Sequence, residues 1–299
     1  MVSVIIPTYN RSGTIERAIR SVLNQTYADL EVIVVDDCST DNTAEIVHSI
    51  NDDRITYVCL DSNQGACAAR NAGIELAQGQ YIAFQDSDDE WVVEKLERQI
   101  KIIEQTNADI CIHRLRRHYP NDSKQVLFPD ISESRFLTHD EMSLNAYIST
   151  QTIVGKRCVF SEHKFDPLVK KTQDYDWGIR ASRNNKIYYC NESLVEQYYQ
   201  GDSISAKGLR VVIETRQYFL EKYHDECVAN PKFEIYQLQL IARCKSLLGE
   251  NAVTEFTSIY RIRKAKGDLA RLVLCKMGMM GLMYRIKGYK RENSITHKG

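Results

Sequence analysis

Two carboxylates separated by a single residue are the first chemical signal in the chain. Asp86 and Asp88 follow a short apolar run, within the segment FQDSDDEW at residues 84–91. In a loop that leaves a strand, two carboxylates at this spacing can face one point. Their hard oxygen atoms suit Mg²⁺ or Mn²⁺, which bind few carboxylates together with substrate phosphates, and such an ion would neutralise a leaving diphosphate. Taken alone, acids at this place are more typical of a cap on a helix that begins near Trp91.

A second pair of acids, Asp36 and Asp37, ends the apolar run EVIVVD. A carboxylate at a strand end can accept hydrogen bonds from a base or a ribose, as acids do in dinucleotide-binding folds. The residues that follow, CSTDN, are equally typical of a turn. Arg70 lies on a predicted helix, where a guanidinium can bind phosphate or a base edge in a forked geometry, although a solvated arginine is the commoner case on a helix.

The segment QDYDW, from Gln173 to Trp177, combines two carboxylates and two aromatic rings in five residues. This composition suits sugar recognition, because aromatic rings cover the apolar face of a sugar and acids bind its hydroxyl groups. One of the acids can also serve as a general base that deprotonates an acceptor hydroxyl. The alternative is the start of an amphipathic helix, where Asp in the first turn is favoured by the helix dipole.

The first hundred residues predict the elements that bring these groups together. Short apolar runs alternate with segments of helical periodicity. Strands are predicted at residues 2–6, 31–36, 55–59 and 81–84, with helices between them and an amphipathic helix at 91–105. This alternation indicates an α/β fold with a mostly parallel central sheet and flanking helices. Ligands of such sheets lie beyond the carboxyl ends of the strands, so we expect residues 8–11, 36–37 and 86–88 to share one site.

The remaining two thirds of the chain are less regular. Strands are predicted at 109–115 and 186–190, and a turn-rich polar segment at 119–140. From residue 207 onward the pattern is mostly helical, with clear periodicity at 238–248 and 269–286.

Several classes of protein are disfavoured by what the sequence lacks. Neither a GxGxxG motif nor a Walker P-loop is present, which argues against a nicotinamide-binding Rossmann domain and a P-loop NTPase. The nine cysteines form no CxxC pair, so we expect reduced thiols in place of a disulfide framework or a zinc site. With no signal peptide, no run of about 18 apolar residues and a net charge of -1, we expect a cytoplasmic protein that binds no nucleic acid.

The charge is nevertheless unevenly distributed. Residues 251–299 contain 11 Lys and Arg against 3 Asp and Glu. Basic residues interleaved with apolar ones at 261–291 suit an anionic membrane surface. The alternatives are a helix that packs on the catalytic domain with a solvated basic side, or helices that pair two copies of the chain.

Five ordered blocks together resemble family 2 glycosyltransferases with the GT-A fold, of the inverting, non-processive type that builds bacterial surface polysaccharides. They are VSVIIPTYN at 2–10, VDDCSTDNT at 35–43, NQGACAARNAG at 63–73, FQDSDDEW at 84–91 and QDYDW at 173–177. Each block alone is weak, but their order and spacing over about the first 180 residues make the combination specific. The family's processive members carry a QxxRW block and membrane helices, neither of which is found, so single sugar additions are expected.

The resemblance implies a role for each matching position. The nucleotide pocket would be lined by Pro7, Thr8, Tyr9 and Asn10. Asp37 would bind the base edge, and Arg70 would lie near the base or the phosphates. Asp86, Ser87 and Asp88 would contact the nucleotide sugar, with Asp88 and Asp86 as ligands of Mn²⁺ or Mg²⁺. Asp89 would only cap a helix. Asp174 would be the general base, and Asp176 and Trp177 would bind the acceptor.

Two departures from the family pattern are visible. The family commonly has Glu-Asp where this chain has Gln173-Asp174, which keeps Asp174 as the expected base and leaves Asp176 as an alternative. The segment from Tyr198 to Ser205 resembles the family's segment beside the donor diphosphate, but it has Gln200 and Gly201 where a histidine is frequent.

We therefore expect a metal-dependent transferase that moves a sugar from a nucleotide diphosphate, UDP by resemblance, to a glycan or lipid-linked acceptor. Residues 1–105 would bind the nucleotide sugar, residues 106–205 the acceptor, and residues 206–299 would form a basic helical extension. The alternatives are a nucleotidyltransferase, although the loop after strand one lacks the Gly-rich basic sequence of that class, and a non-catalytic nucleotide-binding or carbohydrate-binding protein.

Overall fold

Four apolar runs of the first hundred residues form parallel strands, as the sequence predicts. The computed structural model describes residues 1–119, 122–199, 208–281, 283 and 284. The strands are β1 (Val2–Thr8), β2 (Leu30–Asp36), β3 (Ile55–Cys59) and β4 (Tyr81–Phe84). β1 pairs in parallel with β2 and β4, and β2 pairs in parallel with β3. All seven residues of β1 are buried, as expected for a strand that is covered on both faces.

Helices between the strands supply those two covers. They are α1 (Ile15–Leu23), α2 (Thr43–Ser49), α3 (Ala66–Leu76) and α4 (Lys95–Thr106). Because successive strand residues point to opposite faces, Val4 joins the cluster that contains Ile19 of α1, while Ile5 joins the one that contains Ile74 of α3. A Cβ atom at Gly73 would lie 2.4 Å from the Ile5 side chain, so α3 can lie this close to β1 only because residue 73 is glycine.

The second part of the sheet is mainly antiparallel. Its strands are β5 (Glu90–Trp91), β6 (Ile110–Tyr119), β7 (Asp122–Phe128), β8 (Arg135–Leu137), β9 (Val154–Lys156) and β10 (Ile187–Tyr198). The strand order is β3-β2-β1-β4-β9-β6-β10-β5, with β7 on β6 and β8 on β10. β7 and β8 fall in the segment 119–140 that we predicted to be turn-rich, so that prediction was wrong.

The helix expected to begin at Trp91 begins at Lys95 instead. Trp91 is part of β5, where it pairs with Val195 of β10, and it is 4% exposed. Tertiary pairing with a distant strand therefore overrides the helical periodicity of this segment. Four short helical elements complete this part of the chain: α5 (His139–Leu144), a 3₁₀ turn (Thr150–Thr152), α6 (Arg157–Glu162) and α7 (Gln173–Ala181).

The contacts divide the chain into two compact units. The first comprises Met1–Met142, Tyr147–Leu168 and Gln173–Gln200, and the second comprises Ser143–Ala146, Val169–Thr172 and Gly201–Gly299. The described helices at the C-terminal end are α8 (Leu209–Lys222), α9 (His224–Ala229), α10 (Pro231–Leu248), α11 (Val253–Arg263) and α12 (Lys266–Lys276). The helix predicted at 269–286 ends early, because Gly278 adopts a φ of 72°, a conformation that terminates helices.

Two further expectations concern the whole chain. All nine cysteines are free thiols, as their spacing predicts. Among the described residues, no helix has both the length and the apolar character needed to cross a membrane.

Candidate active site

The acidic loop that follows β4 places Asp86 and Asp88 beside positive charge. The Asp86 and Asp88 side chains are 27% and 17% exposed, so both stay accessible to a ligand. Arg70 Nη2 lies 3.2 Å from Asp86 Oδ1, and Arg11 Nε lies 3.9 Å from Asp88 Oδ2. Arg17 also donates a hydrogen bond to the Asp88 carbonyl at 2.5 Å. These arginines make the loop suitable for a diphosphate, whereas the two carboxylates are the groups that could bind a cation.

The loop suits a metal that it shares with the substrate. Within the described part of the chain, no three His, Cys, Asp or Glu side chains are grouped to hold an ion. Two carboxylates would thus need further oxygen ligands from elsewhere. Mg²⁺ is commonly held in this way, by one or two carboxylates plus substrate phosphates, so Asp88 and Asp86 fit the metal that the sequence predicted.

Asp89 does not cap a helix, contrary to our expectation. It is 1% exposed, and its carboxylate accepts hydrogen bonds from Gln151 Nε2 at 2.8 Å and from the Tyr198 backbone N–H at 2.9 Å. Burial, followed by the nearby charges of Asp86 and Asp88, raises the pKa of this carboxyl well above its usual range. Asp89 therefore joins the acidic loop to the end of β10.

The loop after β1 combines a buried hydroxyl with an exposed ring. Thr8 is 3% exposed, and its Oγ1 is buried without a hydrogen-bond partner in the part of the chain that the structure describes. The Tyr9 ring is 43% exposed. Asn10 has a φ of 51° and accepts a hydrogen bond from Thr40 N–H at 2.8 Å, which fastens this loop to the one after β2. Pro7 lies buried within β1, so its side chain is not available to line a pocket in the way the resemblance implied.

Asp37 holds the turn that begins α3. Its two carboxylate oxygens accept backbone N–H hydrogen bonds from Gln64 and Gly65, each at 2.7 Å. Gly65 has a φ of 88°, which favours glycine, and precedes the first residue of α3. The preceding acid, Asp36, is equally buried and accepts hydrogen bonds from Ser39 N–H and the Tyr57 hydroxyl. Asp37 thus fixes the start of the helix that carries Arg70.

Arg70 connects the acidic loop with α7. Its guanidinium donates to Gln173 Oε1 at 2.9 Å through Nη1 and to Asp86 Oδ1 at 3.2 Å through Nη2. The side chain is 7% exposed, and its Nε has no hydrogen-bond partner among the described residues. Arg70 therefore brings together residues separated by about a hundred positions in the sequence. It also gives Gln173 a role, because the Gln173 amide oxygen accepts the hydrogen bond that the carboxylate common in the family could accept.

Asp174 is the acid of α7 that is suited to proton transfer. It is partly exposed, and burial raises the pKa of its carboxyl to about 6. A hydrogen bond from Tyr175 N–H and the charges of Arg70 and Arg117 act in the opposite direction, whereas Asp86 adds to the increase. A carboxylate with a pKa near 6 is ionised at neutral pH and is a stronger base than an ordinary aspartate.

Asp176 and Trp177 are both fully buried. Asp176 accepts hydrogen bonds from Arg180 Nε at 3.1 Å and Nη2 at 2.9 Å. Trp177 stacks on Phe160, with ring centroids 5.0 Å apart, and its Nε1–H donates to the His163 carbonyl. Because neither side chain is exposed, neither can contact an acceptor in the way the resemblance implied. Asp176 is also unsuited to act as an alternative base, because its carboxylate is engaged in an ion pair with Arg180.

Sequence reasoning missed several residues that shape this site. Arg17 carries no recognisable spacing of its own, and Gln151 is isolated in sequence. Arg11 belongs to the stretch 8–11 that we expected at the site, but its place beside Asp88 could not be read from the sequence. The guanidinium of Arg17 lies 4.2 Å from the centroid of the Tyr198 ring. The chain continues from there to Gln200 and Gly201, which lie outside the described residues.

Comparison with known proteins decides the family. The model of "Glycosyl transferase family 2" matches residues 3–168, more than half of the chain. The chain belongs to glycosyl transferase family 2. It is a glycosyltransferase, and the expectations of family and enzyme class are confirmed.

Individual proteins that are similar to this chain are also named as glycosyltransferases or share its fold. A protein of Escherichia coli K12 named for colanic acid biosynthesis, WcaA, is 36% identical over 257 residues, which cover 81% of this chain and 88% of that protein. The E. coli UDP-Glc:alpha-D-GlcNAc-diphosphoundecaprenol beta-1,3-glucosyltransferase WfgD is 32% identical over 238 residues, which cover 80% and 90%. The crystal structure of S. aureus TarS 1-349 with UDP-GlcNAc is similar with a TM-score of 0.70 at 21% identity, covering 97% of this chain and 93% of that one. This structural likeness confirms the GT-A fold.

Proposed function

We propose that this glycosyltransferase moves a sugar from a UDP-sugar to a hydroxyl of a lipid-linked glycan in the biosynthesis of a bacterial surface polysaccharide, with inversion at the anomeric carbon. The observation that carries the proposal is the continuous chain of contacts from Asp86 through Arg70 to Gln173, next to Asp174. It connects the expected diphosphate and metal loop with the one acid of α7 that is both accessible and basic.

The donor would bind beyond the carboxyl ends of β1, β2 and β4. The exposed Tyr9 ring offers a stacking surface for a base. Asp37 and Asn10 hold the surrounding loops. The choice of UDP is supported by WfgD, which is named for UDP-Glc, and by TarS, which was crystallised with UDP-GlcNAc.

Mn²⁺ or Mg²⁺ would be held by Asp88 and Asp86 together with oxygens of the diphosphate. When bound, the ion would stabilise the negative charge that develops on the leaving diphosphate. Arg11 and Arg70, which lie beside these two acids, add positive charge on the protein side of the same loop.

Asp174 would act as the general base. As the acceptor oxygen forms its bond with the anomeric carbon, its proton passes to the Asp174 carboxylate. The bond from that carbon to the diphosphate oxygen breaks, and its electron pair leaves with UDP. A single displacement of this kind inverts the anomeric configuration and needs one base, in agreement with the burial of Asp176 in its ion pair with Arg180.

A lipid-linked acceptor is supported by WfgD, whose name specifies a diphosphoundecaprenol acceptor. Such an acceptor would be met at the cytoplasmic face of a membrane, and the basic C-terminal segment is consistent with a peripheral position there.

Calorimetry and transfer assays test the proposal on the wild-type chain. We expect UDP to bind more tightly in the presence of Mn²⁺ and a UDP-sugar to be consumed in the presence of an acceptor. Asp88→Ala should abolish the effect of Mn²⁺ on UDP binding, while Asp174→Asn should retain UDP binding and lose transfer. Binding of UDP without any turnover of UDP-sugars would favour the non-catalytic alternative, and a nucleoside triphosphate as the true substrate would favour a nucleotidyltransferase.

A further inference from the structure

Helix α12 carries an apolar stripe that faces solvent. Leu269 and Val273 of the helix, and Met277, which directly follows its last residue with a helical backbone conformation, recur every fourth residue and are 43%, 47% and 64% exposed. The other side of the helix is packed within the helical unit, where Leu272 is 8% exposed and Asp268 is 1% exposed. Single exposed apolar residues are common in soluble proteins, but three aligned on one helix face form a surface that no described residue covers.

Lysines stand at both ends of this stripe. At 100° per residue, Lys266 and Lys276 lie on the same face of α12 as Leu269 and Val273. Among the described residues, no acid forms an ion pair with either lysine. Flexible lysine stems can lie along an apolar surface while the ammonium groups reach an anionic layer above it.

The surrounding acids are already neutralised, so the excess charge is positive. Between Val253 and Lys276 the sequence contains two acids, Glu255 and Asp268, against six Lys and Arg. Glu255 Oε1 lies 2.6 Å from Lys245 Nζ, and Asp268 is paired with Arg263 at 2.5 Å and with Arg271 at 3.1 Å. The positive charge of the lysines on the stripe is therefore left without a counter-charge within the helix.

We propose that the Leu269–Val273–Met277 face of α12 docks on an anionic phospholipid surface. The two lysines, Lys266 and Lys276, decide between this occupant and a second copy of the chain. A two-fold contact would place identical cationic faces against each other, whereas an anionic bilayer complements them. Helices with an apolar stripe and basic flanks lie in the interfacial plane of a membrane. Three apolar side chains provide a weak and reversible attachment, which suits an enzyme that moves between lipid-linked acceptors, a setting that rests on the proposed function.

Flotation of the full-length protein with vesicles tests this docking. Wild type should bind vesicles that contain phosphatidylglycerol, and bind those of pure phosphatidylcholine much more weakly. The triple variant Leu269→Gln, Val273→Gln and Met277→Gln should weaken binding by about tenfold or more, since it removes the apolar side chains that would enter the lipid. Lys266→Gln with Lys276→Gln should weaken it by about fivefold per lysine, and added salt should have the same effect on wild type.

Matched controls are available on neighbouring helices. Val228 on α9 is 70% exposed, so Val228→Gln removes an equally exposed apolar side chain and should leave vesicle binding unchanged. Lys232→Gln at the start of α10 removes an exposed positive charge and should also leave vesicle binding unchanged. Thermal unfolding and calorimetric UDP binding should be unchanged in all variants, which separates a failure of docking from a failure of the proposed glycosyl transfer.

Three outcomes would overturn the docking proposal. The first is that wild-type protein does not bind vesicles that contain phosphatidylglycerol. Full binding by the triple Gln variant would assign attachment to another part of the chain, such as the basic residues after 284. A dimer in light scattering that the triple variant dissociates, without any vesicle binding by wild type, would assign the stripe to a second copy of the chain.

Discussion

The acidic loop after β4 and the first turn of α7 both contain acids that are close in sequence but differ in burial. Each places several carboxylates within a few residues, and in each the fold buries one acid and leaves another accessible. Asp89 and Asp176 are buried and fully engaged by protein donors, whereas Asp88 and Asp174 stay within reach of a ligand. Residue type and spacing do not distinguish the members of each pair. Burial distinguishes them: the buried member of each pair serves the structure, and the accessible member is the one that we propose for the chemistry.

The largest expected effect separates the two acids of α7. Asp174→Asn should lower kcat by about a thousandfold, because a positioned general base contributes roughly 10²–10⁴ to the rate, while the affinity for UDP should be unchanged. Steady-state transfer assays and calorimetry measure the two quantities. Asp176→Asn is the matched control, because it makes the same chemical change two residues away. If Asp174→Asn turns over normally, the base lies elsewhere.

The second-largest effect is a loss of stability on replacing Asp89, the buried acid of the loop after β4. Asp89→Ala should lower the free energy of unfolding by about 3 kcal/mol, since it leaves the Tyr198 N–H and the Gln151 amide buried without an acceptor. Asp89→Asn should be much milder, because its amide oxygen can still accept from Tyr198 and the Gln151 amide can flip. Denaturant unfolding with both variants provides the measurement.

The pH dependence of Asp89→Asn sharpens this result. Because the pKa of Asp89 is raised in the folded protein, its ionisation disfavours the fold as the pH rises above the unfolded value. The Asn variant should therefore gain stability relative to wild type between acidic and neutral pH. A constant difference across that range would contradict the assignment of a raised pKa to this residue.

A smaller loss is expected for the ion pair of α7. Asp176→Ala should destabilise the fold by about 2 kcal/mol, less than a fully buried pair would, because Arg180 is 19% exposed and can turn toward water. Thermal or denaturant unfolding measures the loss. The variant should keep the pH profile of transfer by the folded fraction. A change in that profile would give Asp176 a part in the chemistry.

Much of this architecture could be predicted from the sequence, because the signals were local. The β1 to β4 runs are mostly apolar, and acids at the carboxyl ends of such parallel strands lie at the edge of the sheet where ligands bind. The distinction between Asp88 and Asp89 was not local: it depends on Gln151 and Tyr198, which lie 62 and 109 positions away. Two tryptophans also depend on residues that are distant in the sequence. Trp91 is in a strand and not in the predicted helix because it pairs with Val195 of β10, and Trp177 is buried against Phe160 of α6.

The acid limb of the pH profile offers a further test of the comparison. With a pKa of about 6, Asp174 is protonated at lower pH and cannot accept the acceptor proton. Log kcat should therefore fall with a slope of about one per pH unit below that value, and should be level above it until another group titrates. The residual activity of Asp174→Asn should lack this limb, and a limb that persists in the variant would belong to a different residue.

The smallest expected effect comes from restoring the family's glutamate at position 173. Gln173→Glu places a carboxylate on Arg70 Nη1, where the amide oxygen now accepts at 2.9 Å. The new charge lies beside Asp174 and draws Arg70 away from Asp86, so it should raise the pKa of Asp174 and move the acid limb to higher pH. Maximal kcat should change little, because the base itself is untouched. Gln151→Glu is a control that adds the same charge next to Asp89 in the other region, where we expect a loss of stability without movement of the limb. If the acid limb of Gln173→Glu lies at the same pH as in wild type, Arg70 neutralises the new carboxylate completely. The electrostatic coupling between the acidic loop and α7 through Arg70 would then be weaker than we expect.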